Sequence, residues 1–263
     1  MVRYDPTCLQ PAYECRYSWT GWPSESLFPP ISNNRWLNLE QMWELDGLRV
    51  LEKHSDPKYV QILFSSKPSV SPVFLASRAK GRIDHALRTA GTACQFNRKV
   101  ALRAIGHNSA RAVTEYIDTQ VAKEGFVDKE FVYSIEPYTT VFETIDPNQA
   151  ITVNRGRYWY HLHLVLVHEE RYRLRATHLY SSVYKSCLQV AQRNGYQLSA
   201  ISVMPDHLHL GVIGAIDHSP ETIAIEFMNG VVDSLGGIGL YRNGYYVATS
   251  GAYGMNAIRI RND

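Results

Sequence analysis

From Tyr160 to Val167 (YHLHLVLV), and again from Ser199 to Ile213, apolar and β-branched residues recur with period two, the pattern of strands. Between these runs, THLYSSVYKSCLQVAQRNG carries apolar residues at helical spacing, starts at Thr177 and stops at Gly195. After the second run, Ser219 can cap a helix with Pro220 at its first position, running to a stop at Gly236 and Gly237. A short strand around Tyr245 to Thr249 and a last helix from near Met255 complete the unit. The order is strand, helix, strand, helix, strand, helix, with a strand hairpin around Asp206. It predicts an α+β sandwich of antiparallel sheet and helices.

The same pattern occurs earlier in the chain. KYVQILFSSKPSVSPVFLASRAKGR, from Lys58, lies over DHLHLGVIGAIDHSPETIAIEFMNG, from Asp206, at an offset of 148, so that Ser71 and Pro72 fall on Ser219 and Pro220. ALRAIGHNSARAVTEYIDTQ, from Ala101, lies over YVATSGAYGMNAIRIRND, from Tyr246, at an offset of 145, which superposes Gly106 on Gly251. A third match sets YECRYSWTGW, from Tyr13, over YHLHLVLVHE, from Tyr160. Three matches in one order predict two tandem copies of a module, residues 1–122 and 157–263, joined by a linker over 123–156.

Length and composition bound this picture. The 263 residues, 45% of them apolar, exclude a disordered chain and leave room for one large domain or two smaller ones with their own cores. No stretch approaches 18 apolar residues and MVRYDPTCLQ lacks the features of a signal peptide, so no membrane span and a cytoplasmic location are expected. Cys8, Cys15, Cys94 and Cys187 have no paired spacing and are expected to be reduced thiols. The net charge of +2 hides an asymmetry: ten Lys or Arg stand against four acids between Asp56 and Gln120, and three Arg against six acids from Met204 onward. That suits local binding of a polyanion or an ordinary solvated surface, and charge alone does not choose.

The sharpest chemical feature is VMPDHLHLGV. Residues two apart on a strand share a face, so His207 and His209 can meet one divalent ion while Leu208 anchors the other face. Two histidines are an incomplete site, which needs a further protein ligand and an open position. His161 and His163 show the same spacing on the preceding strand, and spacing does not prefer one pair to the other.

MPDHLHL, followed by the Ser-Pro helix start and then GYYVATSGAYG, closely resembles the single-tyrosine HUH transposases, the small insertion-sequence enzymes that include the REP-associated tyrosine transposases. The resemblance implies that His207 and His209 are metal ligands. It also implies a nucleophilic tyrosine on the final helix, in a motif similar to YIxNQ, with a glutamine four residues later as third ligand. The second copy departs from this, reading AIRIRND with Arg261 where the tyrosine belongs. The first copy holds the missing parts: VTEYIDTQ places Tyr116 at the tyrosine position and Gln120 one turn later on the same face, while its own HUH position reads Tyr59, Val60, Gln61.

Enzymes of that family are dimers in which the tyrosine helix of one subunit can dock on the HUH strand of the other. The resemblance therefore implies an intramolecular pseudo-dimer of two HUH modules, each ferredoxin-like or RRM-like, with one composite site. Tyr116 is its expected catalytic residue, and His207, His209 and Gln120 its expected ligands for Mg²⁺ or Mn²⁺. The implied activity is cleavage and joining of single-stranded DNA at hairpin ends through a 5′-phosphotyrosine. SRAKGRIDHALR matches the family's basic helix, which makes Arg78, Lys80, Arg82 and Arg88 the phosphate-contact candidates. Trp19, Trp22 and Tyr253 are expected at loop positions where bases could stack. His54 and His107 read as surface histidines. With one tyrosine per chain, either the pseudo-dimer acts as a monomer or two chains assemble for two cleavages. The alternative is a domesticated, catalytically inactive hairpin-DNA-binding protein.

Overall fold

The computed structural model describes residues 4–24, 27–91, 94–154 and 156–251. In chain order its elements are β1 (Ala12–Pro23), α1 (Asn33–Leu45), β2 (Leu48–Ser55), β3 (Val60–Ser66), α2 (Pro72–Thr89), β4 (Phe96–Ile105), α3 (Ala110–Asp118), α4 (Gln120–Lys123) and α5 (Lys129–Ile135). They continue with β5 (Thr139–Val141), β6 (Ile151–Val153), β7 (Gly156–Trp159), β8 (His161–Val167), α6 (Thr177–Asn194), β9 (Gln197–Val203), β10 (His207–Ile213), α7 (Pro220–Ser234) and β11 (Tyr246–Thr249).

Local chemistry sets the helix ends. The Ser71, Ser109 and Ser219 side chains each accept a hydrogen bond from the backbone N–H three residues on, and Pro72 and Pro220 occupy the first turn. Helix α6 stops at Gly195, whose φ of 69° is left-handed. The hairpin expected around Asp206 is formed by β9 and β10.

All eleven strands among the described residues belong to one mixed sheet. Tyr17 of β1 pairs with Phe64 of β3 and Ala104 of β4; Leu162 of β8 pairs with Val212 of β10 and Thr249 of β11. Phe64 and Val212 are 148 residues apart, and Ala104 and Thr249 are 145 apart, the two offsets carried by the sequence. Tyr17 and Leu162 are also 145 apart, so the alignment of Tyr13 on Tyr160 is out of register by two. Side-chain alternation has period two and is blind to a slip of two residues.

The sheet is not purely antiparallel, which corrects the expectation. Strand β1 runs parallel to β11, with Tyr13 opposite Val247, and β7 runs parallel to β4, with Tyr158 opposite Leu102. These two joins are one pairing repeated at the 145-residue offset. Between them the Gly106 N–H donates to the Gly251 carbonyl at 3.1 Å. A Cβ on Gly106 would stand 2.1 Å from the Thr249 carbonyl oxygen, and one on Gly251 would stand 2.2 Å from that of Ala104. Such close backbone approach admits only glycine at either position.

Residues 123–156, expected as a linker, hold α5, then β5, which extends the sheet beyond β9, and β6, which lies beside β7. One core runs through both halves, from Trp19, Trp43 and Phe64 to Tyr180, Leu208 and Phe227. Trp19, expected in a loop, is wholly buried on β1, and Trp22 is near the end of the same strand. Tyr253 and the helix expected from Met255, with Arg261, lie outside the described residues. None of the four cysteines is in a disulfide. Among the described residues no helix is long and apolar enough to cross a membrane.

Candidate active site

Alternation along β10 puts His207 and His209 on one face of the sheet while Leu208 and Leu210 join the core with Phe227 and Met228 of α7. The histidine face is covered by α3, which packs on β9, β10, β5 and β8. Val113 and Ile117, one turn apart on its apolar stripe, are buried against Ala200 with Val141 alongside. Burying each such side chain contributes about 1.5–3 kcal/mol, enough to seat a helix of nine residues.

That seating delivers Tyr116. Its ring meets those of His209 and His163 edge-on, with centroids 5.6 and 5.8 Å apart, and the Lys123 ammonium lies 4.7 Å from its centroid. Tyr116 is 42% exposed, and its hydroxyl makes no hydrogen bond among the described residues. Gln120 is buried one turn further on. Its Nε2 donates to the Tyr116 carbonyl at 2.8 Å, which leaves Oε1 as the unengaged end of the amide.

Each histidine of the pair is held through Nδ1. The Asp206 Oδ1 lies 2.7 Å from His207 Nδ1, and because a carboxylate only accepts, Nδ1 carries that proton. Asp206 Oδ2 takes Arg171 Nη1 at 3.1 Å. Burial raises the Asp206 carboxyl, but its bonds to His207 and Arg171 outweigh this and hold it below its ordinary value. His209 Nδ1 lies 3.1 Å from His163 Nε2, with the two rings stacked. Burial drives His209 down to about 2, with further contributions from His163 and His207, and burial drives His163 down to about 4. His209 and His163 are therefore neutral imidazoles at neutral pH.

This chemistry fits a divalent ion. With both Nδ1 atoms engaged, the Nε2 atoms of His207 and His209 have no hydrogen-bond partner among the described residues, as expected of imidazoles oriented by an outer shell. Two imidazole nitrogens and an amide oxygen make a mixed set suited to Mn²⁺ at least as well as to Mg²⁺. Among the described residues no three His, Cys, Asp or Glu side chains form a metal-holding group, and a third protein ligand beside the two imidazoles would be the Gln120 amide oxygen.

The second HLH pair divides its roles. His161 is a satisfied core residue, bonded through Nδ1 to Ser250 Oγ and through Nε2 to Ser199 Oγ at 2.8 Å. His163 stands against His209 and Tyr116, a neighbourhood that spacing alone did not disclose. In the first half the matching positions are Ser18 and Gln61, 145 residues before His163 and 148 before His209, and there the Gln61 amide donates to the Ser18 hydroxyl at 3.0 Å.

The basic candidates on α2 are all engaged within the chain. Arg82 and Arg78 lie 2.6 and 3.7 Å from the Asp46 carboxylate, Lys80 donates to the Asn97 carbonyl at 2.8 Å, and Arg88 pairs with Asp84 at 3.2 Å. His107 pairs with Glu14 at 2.8 Å and His54 with Asp56 at 3.4 Å, and neither has a hydrogen bond or ion pair to Tyr116.

Residues 157–261 match the family model described as Transposase IS200 like. Over that stretch, which is less than half of the chain, the sequence is similar to the IS200-like transposases. No curated protein matches the chain. Among solved structures, a candidate transposase of Deinococcus radiodurans R1 is 18% identical over 42% of this chain and 93% of its own, with a TM-score of 0.35. A bacterial light-regulated adenylyl cyclase is 10% identical over 89% of this chain and 72% of its own, with a TM-score of 0.23. With scores this low, neither says what this chain does.

Proposed function

We propose that the chain is a fused pseudo-dimer of two HUH modules with one composite active site, and that it nicks and rejoins single-stranded DNA at hairpin ends as a cytoplasmic transposase. The observation that carries this reading is the docking of α3 from the first half on the β10 face of the second, which sets the Tyr116 ring 5.6 Å from that of His209. The repeated strand registers support two copies of one module, and the Ser18 and Gln61 pair marks the face where the first copy has no imidazoles.

In the proposed reaction Tyr116 Oη attacks phosphorus. The Oη–P bond forms, the bond from phosphorus to the 3′-oxygen breaks, and the phenol proton is balanced on the released 3′-OH. The product is a 5′-phosphotyrosine, whose phosphodiester energy is kept, so a 3′-OH can reverse the step without ATP. Mg²⁺ or Mn²⁺ held by His207, His209 and Gln120 supplies Lewis-acid polarisation of the phosphate. Asp206 and His163 hold the two imidazoles in their tautomers, and Lys123, against the Tyr116 ring, adds positive charge where the phosphate arrives.

The test incubates the protein with labelled hairpin oligonucleotides from its genomic flanks and resolves covalent adducts on a denaturing gel with Mg²⁺ or Mn²⁺. An adduct in wild type that is missing in Tyr116→Phe and in His207→Ala supports the reading. Binding without an adduct in wild type, with either metal and across several flanks, moves the assignment to the inactive hairpin binder.

A further inference from the structure

Beside the histidine strand lies a second cationic feature that the charge count along the chain passes over. After β8 the chain makes a turn in which two successive residues, Glu170 and Arg171, adopt left-handed φ values of 47° and 56°. For residues other than glycine this costs about 1–2 kcal/mol each, so the surroundings must hold it. They do: His168 donates from its backbone N–H to the Asp206 carbonyl and from Nδ1 to that of Tyr172, both at 2.9 Å. Buried Leu174 donates to the Pro205 carbonyl at 2.8 Å and accepts from the Tyr180 hydroxyl at 2.9 Å.

This anchoring fixes the segment RYRLR against the Pro205-Asp206 turn that precedes His207. Arg171, Tyr172, Arg173 and Arg175 remain exposed. Arg171 reaches Asp206, and neither Arg173 nor Arg175 has an ion-pair partner among the described residues. Both line a pocket of about 400 Å³ whose other walls include Phe126, Phe131 and Pro205. Asp128, also at its edge, is occupied in capping α5 through Oδ1. Glu169 and Glu170 border a different cavity, with Leu235 and Ile238.

We infer that Arg171–Arg175 is a binding track for single-stranded DNA leading to the composite site, with backbone phosphates on Arg173 and Arg175 and one unpaired base in the Phe126–Phe131 pocket. Guanidinium groups recognise phosphate in any sequence, and aromatic walls accept the face of any base, so the two together fit an unpaired strand better than a duplex. The inference rests on the proposed reading of the site, and it names where that site's substrate lies.

The experiment measures binding of a fluorescein-labelled single-stranded flank oligonucleotide by polarisation at several salt concentrations. It compares the full chain, Arg173→Ala/Arg175→Ala and Arg173→Lys/Arg175→Lys, with a blunt duplex of the same sequence in parallel. Loss of two phosphate contacts weakens single-strand binding roughly tenfold or more and lowers the salt slope by about 1.4, at roughly 0.7 per phosphate, while the lysine pair keeps the slope. Duplex binding changes little. Unchanged affinity and slope in the alanine pair, or equal weakening on the duplex, overturn the track. The adduct assay run on the same preparations separates the two claims: an adduct in wild type alongside unchanged binding in the alanine pair removes the track alone, and no adduct in wild type removes the reading of the site.

Discussion

The Nε2 of His163 lies 3.1 Å from the Nδ1 of His209, which joins one imidazole of the β8 pair to one of the β10 pair across adjacent strands. In the proposed site His163 is a positioning residue and not a ligand: with His209 Nδ1 donating to His163 Nε2, His209 Nε2 is left for the metal. Replacing His163 by alanine should lower Mn²⁺ affinity roughly 10–100-fold, as loss of such outer-shell partners does, and glutamine should restore part of it. Calorimetric titration of the metal into DNA-free protein reads this, and unchanged affinity in the alanine variant would rule out the role.

The close pair at the join gives a stability test with an internal control. Gly106→Ala forces a methyl group against the Thr249 carbonyl oxygen at 2.1 Å and should destabilise by about 1–3 kcal/mol or more. Gly81→Ala, inside α2 with nothing within 4 Å of the new Cβ, should stabilise by about 1 kcal/mol and raise Tm by roughly 2–4 °C. Thermal melts of both variants check the pair, and a neutral Gly106→Ala would mean that the two halves do not meet at this contact.

Much of this arrangement is legible in the sequence, because it is written in local signals. Ser-Pro helix starts, the Gly195 stop and the period-two runs act over a few residues, and the offsets of 145 and 148 reappear in the strand registers. What escapes is set by distance or by symmetry of the signal. The two-residue slip at Tyr13 leaves alternation unchanged, and His161 and His163 have the spacing of His207 and His209, so only the tertiary neighbours, Ser199 and Ser250 for one and His209 for the other, tell them apart. The parallel joins pair residues more than 50 positions apart, beyond any local pattern. Charge counting does not show which charges are paired: Asp46 takes up Arg78 and Arg82 of the basic helix, whereas Glu169 and Glu170 precede three arginines of which Arg173 and Arg175 have no ion-pair partner among the described residues.

Buried histidines make stability depend on pH with a definite sign. Burial, with a smaller effect of His163, holds His161 down to about 3, and burial holds His168 down to about 4, both below the ordinary value of 6.5. The unfolded chain therefore binds more protons below about 6.5, so the stability from these groups is fully present above that pH and is lost as pH falls toward 4 and 3. Urea midpoints of metal-free protein should drop from pH 7 to pH 4.5, and His161→Asn should flatten the dependence. A midpoint constant over that range would contradict the buried, neutral state of these rings.

In the proposed site Tyr116 and the His207–His209 pair act together within one chain. Tyr116→Phe and His207→Ala, each expected to form no DNA adduct alone, can be mixed in equal amounts and assayed with hairpin single strands and Mn²⁺. A site built inside each chain leaves the mixture inactive, because every chain lacks one component, while wild type forms the adduct. Adduct restored by mixing would show that the tyrosine helix serves a neighbouring chain, and adduct formed by Tyr116→Phe alone would remove Tyr116 from the chemistry.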